Sequence, residues 1–296
     1  MASQIRIGSN FKEYKIKKRL GSGSFGQVFR AIDQKDGEEK ALKFVNKDDR
    51  SGKKEIEILK LLENVRGVPV LEDSFTIGRW TILVLPIYLG DMESLKLDQF
   101  EPKTTMKVAI ETLKILQNLH AEGVIHRDLK LGNLMIPYES RGATLVIIDL
   151  GMATVFKEKN PNNNRRSRVP TIQGDYRFID CPYSSRRLCQ GFQASEADDC
   201  EMLSYLLLDC RDIFTFHGTG EEMLAQKNEF CERPRDFLPQ SSMFLEPIIQ
   251  DLCGVVPGKT PKYSTILREM RRNGYAINES TPFTIRTAQD GKPFIK

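Results

Sequence analysis

The chain has 296 residues, of which 40% are hydrophobic and 28% are charged, as in an ordinary soluble globular protein. Its net charge of +4, from 44 Lys and Arg against 40 Asp and Glu, is too small to argue for a nucleic-acid partner. All six cysteines lie at or beyond Cys181 and none form a C-x-x-C pair, which argues against a zinc site or a disulfide framework. With no apolar stretch that resembles a signal peptide or a membrane span, the sequence predicts a protein of the cytoplasm or nucleus.

A glycine-rich segment, Gly21–Gly26, lies within a region whose composition predicts strands from 14 to 45. The pattern G-x-G-x-x-G is weak evidence by itself, because dinucleotide-binding folds share it and place a helix after it. Here the β-formers Val28 and Phe29 follow, and Asp36-Gly37 marks a hairpin turn. Glycines between two strands form a loop whose backbone N–H groups can approach phosphates. The simplest alternative is a flexible hairpin tip.

An isolated lysine, Lys43, lies in the alternating strand Ala41–Val45. A strand lysine usually extends to solvent, but the next segment, 51–62, has helical periodicity and supplies carboxylates. Glu55 lies on the side of the apolar stripe, so it is placed to reach back to Lys43. Glu57 is the alternative partner, but it falls on the opposite face, which we expect to be solvated.

A further apolar strand, 80–85, ends at the segment Pro86-Ile87-Tyr88-Leu89-Gly90, which we interpret as a hinge between two lobes. From Thr104 to Leu119 the apolar residues recur at helical spacing, and Gly123 provides a stop signal. We expect this helix to be a core element that leads into the loop that follows it.

That loop, His126–Asn133, carries the strongest chemical signal in the chain. It holds Asp128 with Lys130 two places on and Asn133 five places on, a set that can accept a proton, bind a phosphate and hold a divalent cation. An H-R-D tripeptide can occur by chance, but Asp149-Leu150-Gly151 follows directly after a short apolar run that predicts a buried strand. A chance match is improbable, because the glycine-rich segment, the strand lysine, this loop and Asp149-Leu150-Gly151 follow one another in a fixed order.

The remainder of the chain is predicted to be mostly helical. Residues 149–180 form a polar stretch with a basic cluster, which we interpret as a mobile solvated loop or a basic run of the nuclear-import type. The segment Ser195–Asp198 resembles a capping box that opens a helix through Leu206, and 241–273 predicts two or more amphipathic helices. We assign one domain to residues 1–280, with lobes at about 1–86 and 90–280, and a short tail to residues 281–296.

Four further motifs complete the pattern: I-R-I-G at 5–8, L-G-S-G-S-F-G at 20–26, G-V-P at 67–69 and P-K-Y-S at 261–264. With the segments above, they resemble the catalytic domain of eukaryotic protein kinases and, within these, the casein kinase 1 family. The resemblance covers nearly the whole chain, and the vaccinia-related and tau-tubulin kinases share much of it. It implies an α+β, bilobal protein kinase fold. The N-lobe would be small and β-rich with one main helix, and the larger C-lobe mostly α-helical.

The resemblance also implies roles in the transfer of a phosphoryl group from ATP with Mg²⁺. Asp128 would accept the proton of the substrate hydroxyl, and Lys130 would steady the transferring group. Asn133 and Asp149 would hold the metal ion. Asp199 matches the buried aspartate that supports the catalytic loop in this family. The polar stretch 149–180 would be the activation segment, where basic residues could bind an acidic substrate.

The ATP site implied by the resemblance combines the glycine loop, the strand lysine with its glutamate, the hinge and the floor of the cleft. Its residues are Leu20, Gly21, Ser22, Gly23, Ser24, Phe25, Gly26, Val28, Ala41, Lys43, Glu55, Leu85, Pro86, Ile87, Met135 and Ile148. Lys43, held by Glu55, would bind the α and β phosphates.

The sequence also departs from the family pattern. Leu150 replaces the phenylalanine of D-F-G and keeps an apolar plug, whereas Asp175 stands where threonine is usual and so affects substrate positioning. The segment 209–230 is shorter than its counterpart, so contacts from it are not carried over. Arg177 falls where the family binds a substrate anion, and the alternative is an arginine that braces the loop against Asp175 or Asp180.

We therefore expect a serine/threonine protein kinase that favours acidic or phosphoprimed protein substrates, since a lysine two places after Asp128 is typical of that class. Two rivals are a pseudokinase scaffold, which predicts loss of the motif residues, and a small-molecule phosphotransferase, which usually lacks the arginine of H-R-D. We expect a monomer that needs neither nucleic acid nor a membrane span and is active without an upstream kinase.

Overall fold

The computed structural model describes residues 5–23, 26–138, 144–159, 166–169, 181–213, 216–272 and 275–295. Within these ranges the chain forms two parts, a β-rich N-terminal part and a helical C-terminal part, which meet at a cleft. The predicted α+β architecture of two lobes is confirmed.

The N-terminal part is an antiparallel sheet in the order β1-β2-β3-β4-β6-β5. Its described strands are β1 (Asn10–Phe11), β2 (Tyr14–Gly23), β3 (Gly26–Asp33), β4 (Glu39–Asn46), β5 (Asp73–Ile77) and β6 (Trp80–Pro86). The alternating sequence of β2 buries Tyr14 and Ile16 on one face. Phe44 of β4 lies at the centre of an aromatic cluster, with edge-on contacts to Phe29 and Trp80. These contacts fix the strands that form the roof of the cleft.

A single long helix packs on this sheet. It is α1 (Arg50–Leu61), close to the predicted segment 51–62, and the Asp49 side chain caps it by accepting the Ser51 N–H at 2.8 Å. Helical periodicity buries Ile58 and Leu59 towards the sheet, and Glu55 lies on the same buried side.

The C-terminal part consists mainly of helices. The described helices are α2 (Pro102–Ala121), α3 (Arg186–Cys189), α4 (Glu196–Cys210), α5 (Gly220–Glu232), α6 (Glu246–Cys253) and α7 (Tyr263–Arg272). The predicted core stripe of α2 is fully buried, and α4 begins with the predicted capping box but continues past Leu206 to Cys210. Gly123 follows α2 with a φ of 83°, and an added Cβ there would lie 2.5 Å from the Lys157 carbonyl oxygen. No helix in the described ranges combines the length and the apolar character needed to cross a bilayer.

Short strands lie between and after these helices. They are β7 (Gly90–Asp91), β8 (Val124–Ile125), β9 (Leu134–Ile136), β10 (Val146–Ile147), β11 (Thr154–Val155), β12 (Lys157–Lys159), β13 (Arg166–Arg168), β14 (Ile285–Thr287) and β15 (Pro293–Ile295). The pairing of β7 with β9 and of β9 with β10 places the end of the hinge beside the floor of the cleft.

The interpretation of 149–180 as one polar loop is wrong for part of that segment. Strands β12 and β13 pair antiparallel, with Lys157 opposite Arg168. The charged sequence did not indicate strands, but Phe156 packs below Lys157 and Arg168, and its carbonyl accepts the Val169 N–H at 2.8 Å.

The segment 281–296 is more than a tail. Its strands β14 and β15 form a hairpin, and the Ile295 N–H donates to the Leu95 carbonyl at 2.8 Å. Ile295 and Phe283 are both buried. The hairpin is therefore packed against the segment that follows the hinge.

Candidate active site

The cleft between the two parts has a volume of about 420 Å³ and is lined by residues from both. Of the residues predicted to contact ATP, those that line it are Leu20, Gly21, Ser22, Gly23, Gly26, Val28, Ala41, Lys43, Glu55, Leu85, Pro86, Ile87, Met135 and Ile148. Ser24 and Phe25 lie outside the described residues. Asn133 and Asp149, the predicted metal ligands, line the same cleft.

The glycines of the roof serve different purposes. Gly26 has a φ of 139°, and an added Cβ would overlap the Phe44 carbonyl oxygen, so the fold itself requires glycine there. An added Cβ at Gly21 or Gly23 would meet none of the described atoms within 4 Å. Glycine at these two positions leaves room for a ligand close to the backbone.

Lys43 is the charged centre of the cleft. The pairing of β4 with β3 and β6 fixes its backbone opposite Val28 and Leu83, and its side chain is buried. Its Nζ donates to both carboxylate oxygens of Glu55, at 2.8 and 2.7 Å, and to Asp149 Oδ1 at 2.7 Å. The expected contact with Glu55 is present, and Glu57 is exposed.

Electrostatics explain how three ionisable groups share this space. Burial by itself would lower the pKa of Lys43, but the charges of Glu55 and Asp149 raise it above its ordinary value. Burial would raise the pKa of Asp149, but the Lys43 ammonium lowers it. For Glu55, burial outweighs the same ammonium and raises the pKa. The lysine is therefore held charged, with Asp149 as an ionised partner.

The catalytic loop brings its three predicted residues together. Lys130 Nζ donates to Asp128 Oδ2 at 2.9 Å. Asn133 Nδ2 donates to the same oxygen at 2.8 Å and to the Asp128 backbone carbonyl at 2.7 Å. A carboxylate, an ammonium and an amide thus form one hydrogen-bonded group, of which Asn133 lines the cleft.

Asp199 supports this loop from α4, as its match to the family pattern predicts. It accepts the backbone N–H groups of His126 and Arg127, both at 2.8 Å. His120 Nε2 also lies 2.8 Å from Asp199 and must be the donor, because a carboxylate can only accept. Burial would raise the pKa of Asp199, but the hydrogen bond from His120 lowers it.

Backbone strain marks both catalytic segments. Arg127 has a φ of 68° and Asp149 a φ of 63°, in the left-handed region that costs a non-glycine residue about 1–3 kcal/mol. The Arg127 side chain is buried, and its Nε donates to the Met152 carbonyl at 2.7 Å. His126 links the two segments, since its Nε2 donates to the Ile148 carbonyl at 3.0 Å and its Nδ1 accepts the Asp128 N–H at 3.2 Å. These contacts hold the strained geometry in place.

Several residues that line the cleft were not predicted from the sequence. They are Leu59, Pro69, Tyr88, Leu89, Gly90, Asp91, Gly132 and Leu150. Tyr88, Leu89 and Gly90 lie in the predicted hinge, so that segment was a usable signal for them. Asp91 had no such signal, because its place in the cleft depends on the pairing of β7 with β9.

Arg177, Asp175 and Asp180 lie outside the described residues, so the anion site stays a prediction.

The side chains at the cleft can be compared with the ligands that the implied magnesium ion prefers. An amide oxygen from Asn133 and a carboxylate from Asp149 are hard oxygen ligands of the kind that Mg²⁺ prefers when substrate phosphates supply the others. The residues present fit magnesium.

A comparison with known protein families matches residues 14–178 to the protein kinase domain. The matched region begins at the first residue of β2 and includes the glycine loop, Lys43, Glu55, the catalytic loop and Asp149. It covers more than half of the chain and agrees with the β-rich and helical parts that meet at the cleft. The chain therefore belongs to the protein kinase family, and its fold is the bilobal fold of that family.

Proposed function

We propose that this protein kinase transfers the γ-phosphoryl group of Mg²⁺-bound ATP to serine and threonine hydroxyls, with a preference for acidic or phosphoprimed proteins. The observation that carries the proposal is the joint presence of two hydrogen-bonded groups at one cleft. Lys43, Glu55 and Asp149 form the first. Asp128, Lys130 and Asn133 form the second.

The second group suits proton acceptance and charge stabilisation. The Asp128 carboxylate can accept a hydroxyl proton as that proton leaves late in the transfer. Lys130 donates to the Asp128 carboxylate, so its ammonium would steady a phosphoryl group that is transferred beside that carboxylate. Asn133 orients Asp128 through its amide and can offer its amide oxygen to a metal ion.

The first group suits nucleotide binding. Lys43 is charged and held in place by Glu55, so its ammonium can bind phosphate oxygens without first being ordered. Magnesium held by Asp149 and Asn133 would neutralise charge on the phosphates. The apolar residues Val28, Ala41 and Ile148 line the same cleft and can hold a flat base between them.

Substrate choice rests on the family resemblance. A lysine two places after the catalytic aspartate favours serine and threonine over tyrosine. Arg177 lies at the position where casein kinase 1 enzymes bind an anion, and a guanidinium can donate two parallel hydrogen bonds to a phosphate.

The test is a radiolabelled-phosphate assay with casein, a phosphoprimed serine peptide, its unprimed twin, a tyrosine peptide and small alcohol acceptors. We expect transfer to the serine substrates only, with loss of about 2.7–4 kcal/mol of transition-state stabilisation in Asp128→Asn. Near-normal turnover in Asp128→Asn would contradict the mechanism. ATP binding without any transfer by the wild type would instead indicate a pseudokinase scaffold.

Arg177→Ala tests the preference separately. If Arg177 binds the substrate anion, kcat/KM for the primed peptide should fall about tenfold to a hundredfold, while the unprimed value stays nearly constant. An equal fall on both peptides would show that the arginine only braces the loop.

A further inference from the structure

Two cysteines far from the cleft place their sulfur atoms unusually close together. Cys231 is the penultimate residue of α5, Cys253 is the last residue of α6, and their Sγ atoms lie 2.9 Å apart. A disulfide bond is about 2.0 Å long, so closing one requires the two atoms to approach by about 0.9 Å. Both side chains are partly exposed, so a small oxidant can reach them.

Both cysteines are free thiols in the structure. The Ser204 hydroxyl donates to the Glu201 carbonyl at 2.6 Å and lies 3.5 Å from Cys253 Sγ. The Cys231 thiol donates to Cys253. This hydrogen bond, followed by burial, raises the pKa of Cys231, which disfavours the thiolate. Arg186 opposes that effect by its charge.

The other cysteines have different surroundings. Cys200 and Cys210 are fully buried, and Cys189 lies against Lys227 Nζ at 3.5 Å. Among the described residues, Cys231 and Cys253 are the one pair of sulfur atoms in hydrogen-bond contact. The pair is therefore a specific place for oxidation.

We propose that Cys231 and Cys253 form a reversible redox site that closes to an intramolecular disulfide when a hydroperoxide is present. The Cys253 sulfur, which accepts the hydrogen bond from Cys231, attacks the peroxide as the thiolate, so that an S–O bond forms, the O–O bond breaks and an alcohol or water leaves. The second thiol sulfur then displaces water from the sulfenic acid, so that the S–S bond forms and the S–O bond breaks. In sum, two thiols and one hydroperoxide give one disulfide, one alcohol and one water.

The site has a structural consequence within the kinase fold. Lys227 lies one turn before Cys231 on α5, and its buried ammonium donates to the carbonyls of Cys181 and Ser184, at 2.9 and 2.7 Å. These two residues belong to the segment that leads into α3. A bond from α5 to α6 therefore fixes the helix that anchors this segment. We expect the oxidised protein to unfold at a temperature several degrees higher than the reduced one.

The experiment uses the purified full-length chain, treated with hydrogen peroxide under native conditions and followed by thiol counting, intact mass and peptide mapping. We expect the loss of two thiols and two hydrogen atoms, a linked peptide pair containing Cys231 and Cys253, a monomer on a non-reducing gel and reversal by dithiothreitol. Chains oxidised in urea should show mixed pairings, because only the folded state brings the two sulfurs together.

Matched variants complete the test. Cys231→Ser and Cys253→Ser should each lose both the linked peptide and the gain in melting temperature, whereas Cys189→Ser should keep both. The proposal is overturned if native oxidation stops at sulfenic or sulfinic acid, links other cysteines or joins two chains. It is also overturned if the native and the urea-unfolded chain give the same pairings, a comparison that needs no variant.

Discussion

Lys43 is the ammonium on which two carboxylates converge, and this makes its contribution to stability dependent on pH. We predict that Lys43→Met abolishes phosphoryl transfer and destabilises the fold by about 3 kcal/mol at pH 7, because removing one partner leaves buried charge unpaired. Uptake of a proton by Glu55, whose pKa burial already raises, limits that cost.

The direction in which this stabilisation changes with pH follows from the raised pKa of Lys43. Its stabilising effect is complete below its unfolded pKa of about 10.4 and is lost as the pH rises through the higher folded value. Denaturant unfolding of wild type and Lys43→Met at pH 7, 9 and 11 should therefore give a difference that is constant at first and smaller at pH 11. Lys47→Met, at an exposed position, is the control and should change little. A difference that grows at pH 11 would contradict this account.

For single residues, the sequence was informative wherever helical or strand periodicity alone determines which way a side chain faces. Helical phase selected Glu55 over Glu57, and the contact with Lys43 is present. Asp91 was not predictable, because nothing in its neighbours indicates that a two-residue strand will turn it into the cleft. The Asp149 contact with Lys43 joins residues 106 positions apart, a separation that propensity and local spacing do not encode.

Among the elements, the C-terminal hairpin has the clearest consequence for the cleft. The Ile295 N–H donates to the Leu95 carbonyl, and the Leu95 N–H donates to the Asp91 carbonyl at 3.0 Å. An added Cβ on Gly90 would lie 3.2 Å from the Leu95 side chain, so Leu95 packs directly under the end of the hinge. The hairpin thus supports two residues that line the cleft.

We predict that Ile295→Ala lowers the free energy of unfolding by about 2 kcal/mol and raises the KM for ATP more than it changes kcat. The reason is the cavity left beside Leu95, which loosens Gly90 and Asp91. Thermal melts and steady-state kinetics measure the two effects. Arg286→Ala, on an exposed position of β14, is the matched control and should alter neither quantity. Loss of stability with an unchanged KM would limit the hairpin to a structural role.

The hairpin also shows why short elements escape sequence analysis. Its strands have three residues each, too few to show an alternation, and Ile295 is buried in a core cluster that its own neighbours in the sequence do not indicate. The pair β12 and β13 escaped for a related reason, since charged residues are poor strand signals and the pairing depends on Phe156. Long periodic elements such as α2 were predicted to within about two residues at each end.

In the whole molecule, the ion pair between Lys43 and Asp149 joins the β-rich part to the helical part across the cleft. The order of the motifs predicted this architecture, because each motif demands a particular element beside it: strands around glycines, a helix after the lysine and a loop after α2. The order of motifs did not predict that Asp149 would lie on Lys43 itself. A bound magnesium ion and nucleotide must compete for both side chains, so binding should be visible as a change in the stability of the whole fold.

We predict that saturating Mg²⁺ and ATP raise the melting temperature by roughly 5–10 °C, since ligand at a hundredfold its Kd adds about 2.7 kcal/mol to the folded state. ATP with a chelator should give a smaller shift. In Asp149→Asn the increment due to magnesium should be lost while the shift from ATP alone persists, because an amide is a weaker magnesium ligand than a carboxylate and Lys43 remains. Asp128→Asn is the control and should keep the magnesium increment, since Asp128 is not one of the residues that line the cleft. Each variant is compared with its own melt without ligand, which removes the baseline effect of losing the ion pair. An undiminished magnesium increment in Asp149→Asn would show that the metal ion is held elsewhere.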